Sequence, residues 1–75
     1  MWIVLESLVK TNAPEGTLQA VVLYRGTNEQ NMLNAAANEI DYHLDQGWSV
    51  VDSFDYTVIL RDNKGWYKNI TVYEL

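Results

Sequence analysis

Residues 27–48, TNEQNMLNAAANEIDYHLDQGW, decide the fold, because only here do apolar residues recur at helical spacing. Projected at about 100° per residue, Leu33, Ala36, Ala37, Ile40 and Leu44 fall on one stripe, the surface a helix turns toward a core. Tyr42 and Ala35 point away from it, and His43 lies on its border. Thr27 is the expected N-cap, with Gln30 three residues on to reach back to the cap amide. Glu29 in the first turn suits the helix dipole. Gly47 is the expected stop, since glycine enters the left-handed conformation that follows a helix without a side-chain clash. Trp48 then folds back on the last turn, near Tyr42 or His43.

On both sides of this segment the period shortens. Residues 2–9 are apolar and rich in β-branched types, interrupted by Glu6 and Ser7, as in a strand with one partly exposed face. Residues 11–16, TNAPEG, are turn chemistry. In residues 17–25 both alternating sets are mostly apolar, which predicts a central strand covered on two faces and paired with the first as a hairpin. Trp48, Val50 and Val51 open a third strand. Residues 56–61 and 66–73 flank the turn Asp62-Asn63-Lys64-Gly65, a glycine-closed hairpin. Ser53-Phe54-Asp55 is compatible with a break between strands or a bulge within one. The expected architecture is α+β, a single domain over residues 1–75: an antiparallel sheet of four to five strands with one helix on one face, in the order β-β-α-β-β. One helix covers one face only. The other carries some of Tyr24, Tyr56, Tyr67 and Tyr73, and is a candidate interface.

A chain of 75 residues has little surplus stability from one core, and with no cysteine it has neither disulfides nor thiolate metal sites to add. A homo-oligomer, most simply a homodimer, is the expected extra support. No apolar run reaches membrane-spanning length, the N-terminus lacks the basic region of a secretory signal, and absence of cysteine suits a reducing compartment. A soluble, cytoplasmic protein without membrane contact is therefore expected, and Asn69-Ile70-Thr71 is read as a chance sequon.

The net charge of -5 is unevenly placed. Between Gly26 and Leu60 there is no lysine or arginine, while Glu29, Glu39, Asp41, Asp45, Asp52 and Asp55 all fall there. Such a region repels nucleic acid and attracts basic surfaces, and it also keeps a small protein soluble.

Catalytic chemistry finds little footing. The lone His43 lacks the nucleophile-elbow motif of a hydrolytic triad. Glu39 and His43 stand four apart on the helix, a spacing metal sites use, yet two ligands are too few without carboxylates from elsewhere, and a histidine favouring the helix C-terminus is the simpler account. Asp52 and Asp55 flank Phe54 with no sign of an enclosed pocket to shift their pKa values. No glycine-rich loop cradles phosphate, and Glu29 sits where an anion would bind. Arg61, Lys64 and Lys68 beside Trp66 and Tyr67 match the cation–aromatic pairing of single-strand binders, but three cations are outweighed by the acidic segment. No enzyme activity, cofactor or metal is expected, nor direct nucleic-acid binding.

Two stretches carry resemblances. Leu33 and Ile40 followed by Asp45-Gln46-Gly47-Trp48-Ser49-Val50-Val51 resemble a family of short bacterial and phage domains of unknown function in which a helix runs into "GW" and an apolar strand. That resemblance implies a small sheet-and-helix fold and no activity. Val4-Leu5-Glu6-Ser7-Leu8, and separately Val51-Asp52-Ser53-Phe54-Asp55 with Thr57, Leu60, Asp62 and Gly65, resemble strands of two families of phage inhibitors of uracil-DNA glycosylase. The first implies that Glu6 and Ser7 stand in for DNA phosphates in an enzyme groove.

Together these point to a non-enzymatic acidic interaction protein, in the form of a phage-encoded inhibitor that presents carboxylates to the basic groove of a DNA-processing enzyme. The expected partner-binding residues are Glu6, Ser7, Asp41, Asp45, Asp52, Asp55, Trp66 and Tyr67, with an apolar anchor from Trp2, Trp66 or Phe54. The alternatives are an oligomer that binds a small ligand or nucleotide between subunits, and a structural or assembly subunit.

Overall fold

A computed structural model describes residues 1–10 and 18–75. It contains β1 (Trp2–Lys10), β2 (Leu18–Gly26), α1 (Glu29–Asp45), β3 (Ser49–Phe54), β4 (Thr57–Arg61) and β5 (Trp66–Glu74). The strands form one antiparallel sheet in the order β2-β1-β5-β4-β3, with α1 packed on one face against β1 and β2. The predicted α+β class is observed, with two strands before the helix and the rest after it; three follow the helix, so the sheet has five strands. The turn predicted over residues 11–16 lies outside the described residues.

The middle of the sheet is not where alternation placed it. The C-terminal strand β5 inserts between β1 and β4, so β1 is paired on both sides and β2 is left at the edge. Val21 and Val22, on opposite faces of β2, are 54% and 58% exposed, which rules out the expected strand covered twice. A bulge lies at Leu23, where Val4 pairs with Tyr24 but Leu5 pairs with Val22. Beyond it, the Tyr24 hydroxyl donates to the Asn28 carbonyl (3.2 Å) and accepts from the Asn28 N–H (3.1 Å). A side chain at Gly26 would collide with that hydroxyl, so the glycine makes room for a clasp between β2 and α1.

The helix starts one residue later than predicted. Asn28, not Thr27, is the N-cap, and its side chain accepts from the Asn31 N–H at 2.9 Å. Gln30 donates to Asn34 instead of closing a capping box. The buried stripe is also rotated from the projected one: Met32 and His43 are buried with Ala36 and Ile40 packed beside them, while Leu33 and Leu44 stand exposed. Hydrophobicity alone favours leucine over histidine in a core; here the sheet below supplies polar partners for His43, and these settle the rotation. The core itself is Val4, Met32, Leu60 and Ile70, flanked by Trp2, Leu23, Tyr24, Val58, Trp48 and Val72.

Gly47 ends the helix as expected, at φ +95°. The Gly47 N–H donates to the Leu44 carbonyl and the Trp48 N–H to the His43 carbonyl, the paired bonds of a Schellman cap. The open reading of residues 53–55 resolves into a strand break. Phe54 pairs with Thr57 across the turn Asp55-Tyr56, with Asp55 in the left-handed region at φ +48°, and a separate bulge lies near Val51. At the β4–β5 turn, Asp62 Oδ1 accepts from the N–H groups of Lys64 (2.8 Å) and Trp66 (2.9 Å). Among the described residues no helix is long and apolar enough to cross a membrane.

Candidate functional site

Strand alternation puts Glu6 on the same face of β1 as Trp2 and Val4, beneath the helix. Ile70 stands beside it on β5, and Lys68, two residues back on that strand, lies on the same face. The C-terminal turn of α1 brings His43 down onto this pair, and Glu39, one turn earlier, lies alongside. The result is a polar cluster at the edge of the core, drawn from three elements remote in sequence.

Its hydrogen bonding can be assigned. His43 Nδ1 lies 2.7 Å from the Glu39 main-chain carbonyl, which only accepts, so Nδ1 carries the proton and donates. In the neutral ring Nε2 is then left with a lone pair, which accepts from the Lys68 ammonium. Glu6 Oε1 lies 3.2 Å from the same Nε2, and Glu6 Oε2 is 4.0 Å from Lys68 Nζ. In that tautomer two acceptors face one another, and Glu6 Oε1 is buried without a hydrogen-bond partner among the described residues. In the neutral ring, proximity to Nε2 is not a hydrogen bond, because the ring proton is on the other nitrogen. Burial pushes the Glu6 carboxyl above its ordinary pKa; Lys68 opposes the shift, and the nearby Glu39 carboxylate adds to it.

Trp48 closes the cluster. Its indole meets the His43 ring edge-on at 5.5 Å, and Lys68 Nζ lies 5.0 Å from the Trp48 ring centre, in cation–π range. Tyr42 meets the other side of the imidazole edge-on. Glu6, Glu39 and His43 each offer a ligand atom, all within 4.8 Å of one another. The helix pair that was too small a ligand set by itself therefore gains its third member from β1.

The predicted partner-binding residues do not form one patch. Glu6 is inside, its side chain 12% exposed, and turned toward His43 and Lys68. Ser7 lies on the opposite face of β1, which the helix leaves uncovered. Asp41 and Asp45 are exposed on α1, and Asp52 and Asp55 are exposed on β3 and its turn. Trp66 and Tyr67 are half-buried at the start of β5 and point to opposite faces. Near them a shallow cavity of about 300 Å³ is lined by Arg61, Asp62, Asn63, Gly65 and Tyr67. The Asp62 carboxyl there sits below its ordinary range: desolvation pushes it up, but the main-chain N–H groups of Trp66, Lys64 and Gly65 and the Lys64 charge together outweigh this.

Lys68 is the member of the cluster that sequence reasoning placed elsewhere, with the hairpin cations. A signal for Glu6 did exist: it shares alternation parity with Trp2, Val4 and Leu8, so a one-sided strand had to turn it inward with them.

The resemblances noted above rest on their short quoted stretches. No family model matches this chain, no curated protein matches it, and no solved structure matches it.

Proposed function

We propose that this protein is a non-catalytic binding module that engages a basic protein surface through its edge strand β3 and the turn that follows, which carry Asp52 and Asp55. One observation carries the reading: β3 is a sheet edge whose six residues are all exposed, with Val50, Val51 and Phe54 set among Asp52 and Asp55. A free edge offers main-chain groups to an added strand, its apolar side chains offer anchors, and its carboxylates select a cationic partner. Asp41 and Asp45 add exposed carboxylates on the helix, and no lysine or arginine interrupts the chain between Gly26 and Leu60. Glu6 contributes nothing to this contact, being committed to the interior. A basic groove of a DNA-processing enzyme is one target with the matching charge.

Affinity capture from a bacterial lysate, run in parallel with wild type and the pair Asp52→Lys/Asp55→Lys, tests the reading. A protein held by wild type, released as salt rises and not retained by the charge-reversed pair supports it. Capture that is equal for both proteins and indifferent to salt overturns it.

The hairpin cavity favours a second reading, a small-ligand binder using Arg61 and Tyr67. Native mass spectrometry of the purified protein separates the two: a co-purifying small molecule lost in Arg61→Ala supports the ligand reading.

A further inference from the structure

The unpaired Glu6 Oε1 and the lone pair of His43 Nε2 converge on one point from two elements, 3.2 Å apart. That separation is close to the roughly 3.3 Å between two ligand atoms on a tetrahedral ion with bonds of about 2.0–2.1 Å. The His43 ring is also already oriented as a ligand: its other nitrogen donates to a main-chain carbonyl, the outer-shell bond that fixes the tautomer of metal-binding histidines. The imidazole is 2% exposed, and the Glu39 carboxylate, 27% exposed and 3.5 Å from Nδ1, offers a ligand atom within 4.8 Å of those of the other two residues.

We propose that Glu6, Glu39 and His43 form a binding site for a divalent transition-metal ion of the Zn²⁺ type, which Lys68 guards by occupying it in the metal-free protein. Two carboxylates and a neutral imidazole balance a 2+ ion in full, whereas the single charge of Lys68 leaves one carboxylate uncompensated. Lys68 is more exposed than Glu6 or His43, so its ammonium has a route outward past Trp48 when the ion enters. Mixed nitrogen and oxygen donors suit zinc or cobalt better than calcium or magnesium. A bound ion would tie β1 to the C-terminal turn of α1, a staple suited to a small chain that has no cysteine.

The test is titration of chelator-treated protein with Zn²⁺, read by tryptophan emission and thermal midpoint, with Co²⁺ as a visible-absorption probe. Wild type is expected to bind one ion per chain, with a midpoint that climbs with free zinc. Glu6→Gln and Glu39→Gln should each weaken binding by roughly tenfold or more, the scale on which metal-site substitutions act. Lys68→Met should tighten it several-fold by removing the competitor. Should Glu6→Gln fail to fold, Glu39→Gln, at a partly exposed position, carries the comparison. The proposal falls if wild type shows no saturable binding, if the glutamine variants bind as well as wild type, or if only Lys68→Met binds. The last result would make Lys68 the permanent counter-ion. None of these outcomes bears on the β3 reading, which uses other residues.

Discussion

His43 and β3 are separated by only a short piece of chain, yet they are opposite environments. The imidazole is 2% exposed and reads as part of the core, while Val50, Val51 and Phe54, apolar residues in an edge strand, are 43% to 50% exposed. Position in the sheet, not residue type, makes the difference. The end of α1 lies over the junction of β1 and β5, where polar partners are fixed in place, whereas among the described residues β3 has a neighbouring strand on one side only. A polar side chain with its partners is held inside, and an apolar one with no element to cover it is left out.

Substitutions put that contrast to the test. The largest effect is expected where both regions depend on the same wall: Leu60, fully buried on β4 between β3 and β5. Leu60→Ala should cost about 2–5 kcal/mol, enough to consume most of the stability of so small a domain, as read by urea denaturation. His43→Ala follows at roughly 2 kcal/mol, because it opens a cavity and strips Lys68 of its acceptor. A cost near zero would mean the cluster is a solvated ornament. Gly47→Ala should cost about 1 kcal/mol by calorimetry. No atom crowds the added methyl there, so the loss comes from the left-handed backbone alone.

Smaller still is a pH effect. Burial raises the Glu6 carboxyl, so the native state takes up that proton before the unfolded chain does as pH falls. Its favourable contribution is complete below the unfolded value of roughly 4.3 and is lost as pH rises through the folded one. Between pH 4 and 7, wild type should therefore lose ground relative to Glu6→Gln, and parallel stability curves for the two proteins would contradict the assignment. At the far end, Val51→Thr and Phe54→Ser should change stability by no more than about 0.5 kcal/mol, while either one weakens partner capture. A large destabilisation would show that β3 is covered after all.

Much of this was legible in the residues. Gly47 and Trp48 marked the helix end because a left-handed cap followed by an apolar residue is a local event with few solutions, and Asp62 to Gly65 marked the last hairpin for the same reason. The rotation of α1 was not legible, since ranking by hydrophobicity prefers Leu33 and Leu44 to Met32 and His43, and only the identity of the facing strand reverses that order. The middle of the sheet was hidden too: β2 looks doubly apolar, and nothing local shows that β5 pairs with β1 and leaves β2 at the edge.

Neighbouring residues alone thus settled the kind and order of the elements, the helix stop at Gly47, the last hairpin turn and the cation-free segment, all consequences of spacing and conformational preference. Tertiary structure alone decided that Glu6, Glu39, His43 and Lys68 meet and that β3 is open, because both depend on strand order, and strand order is set by which distant surfaces bury each other best.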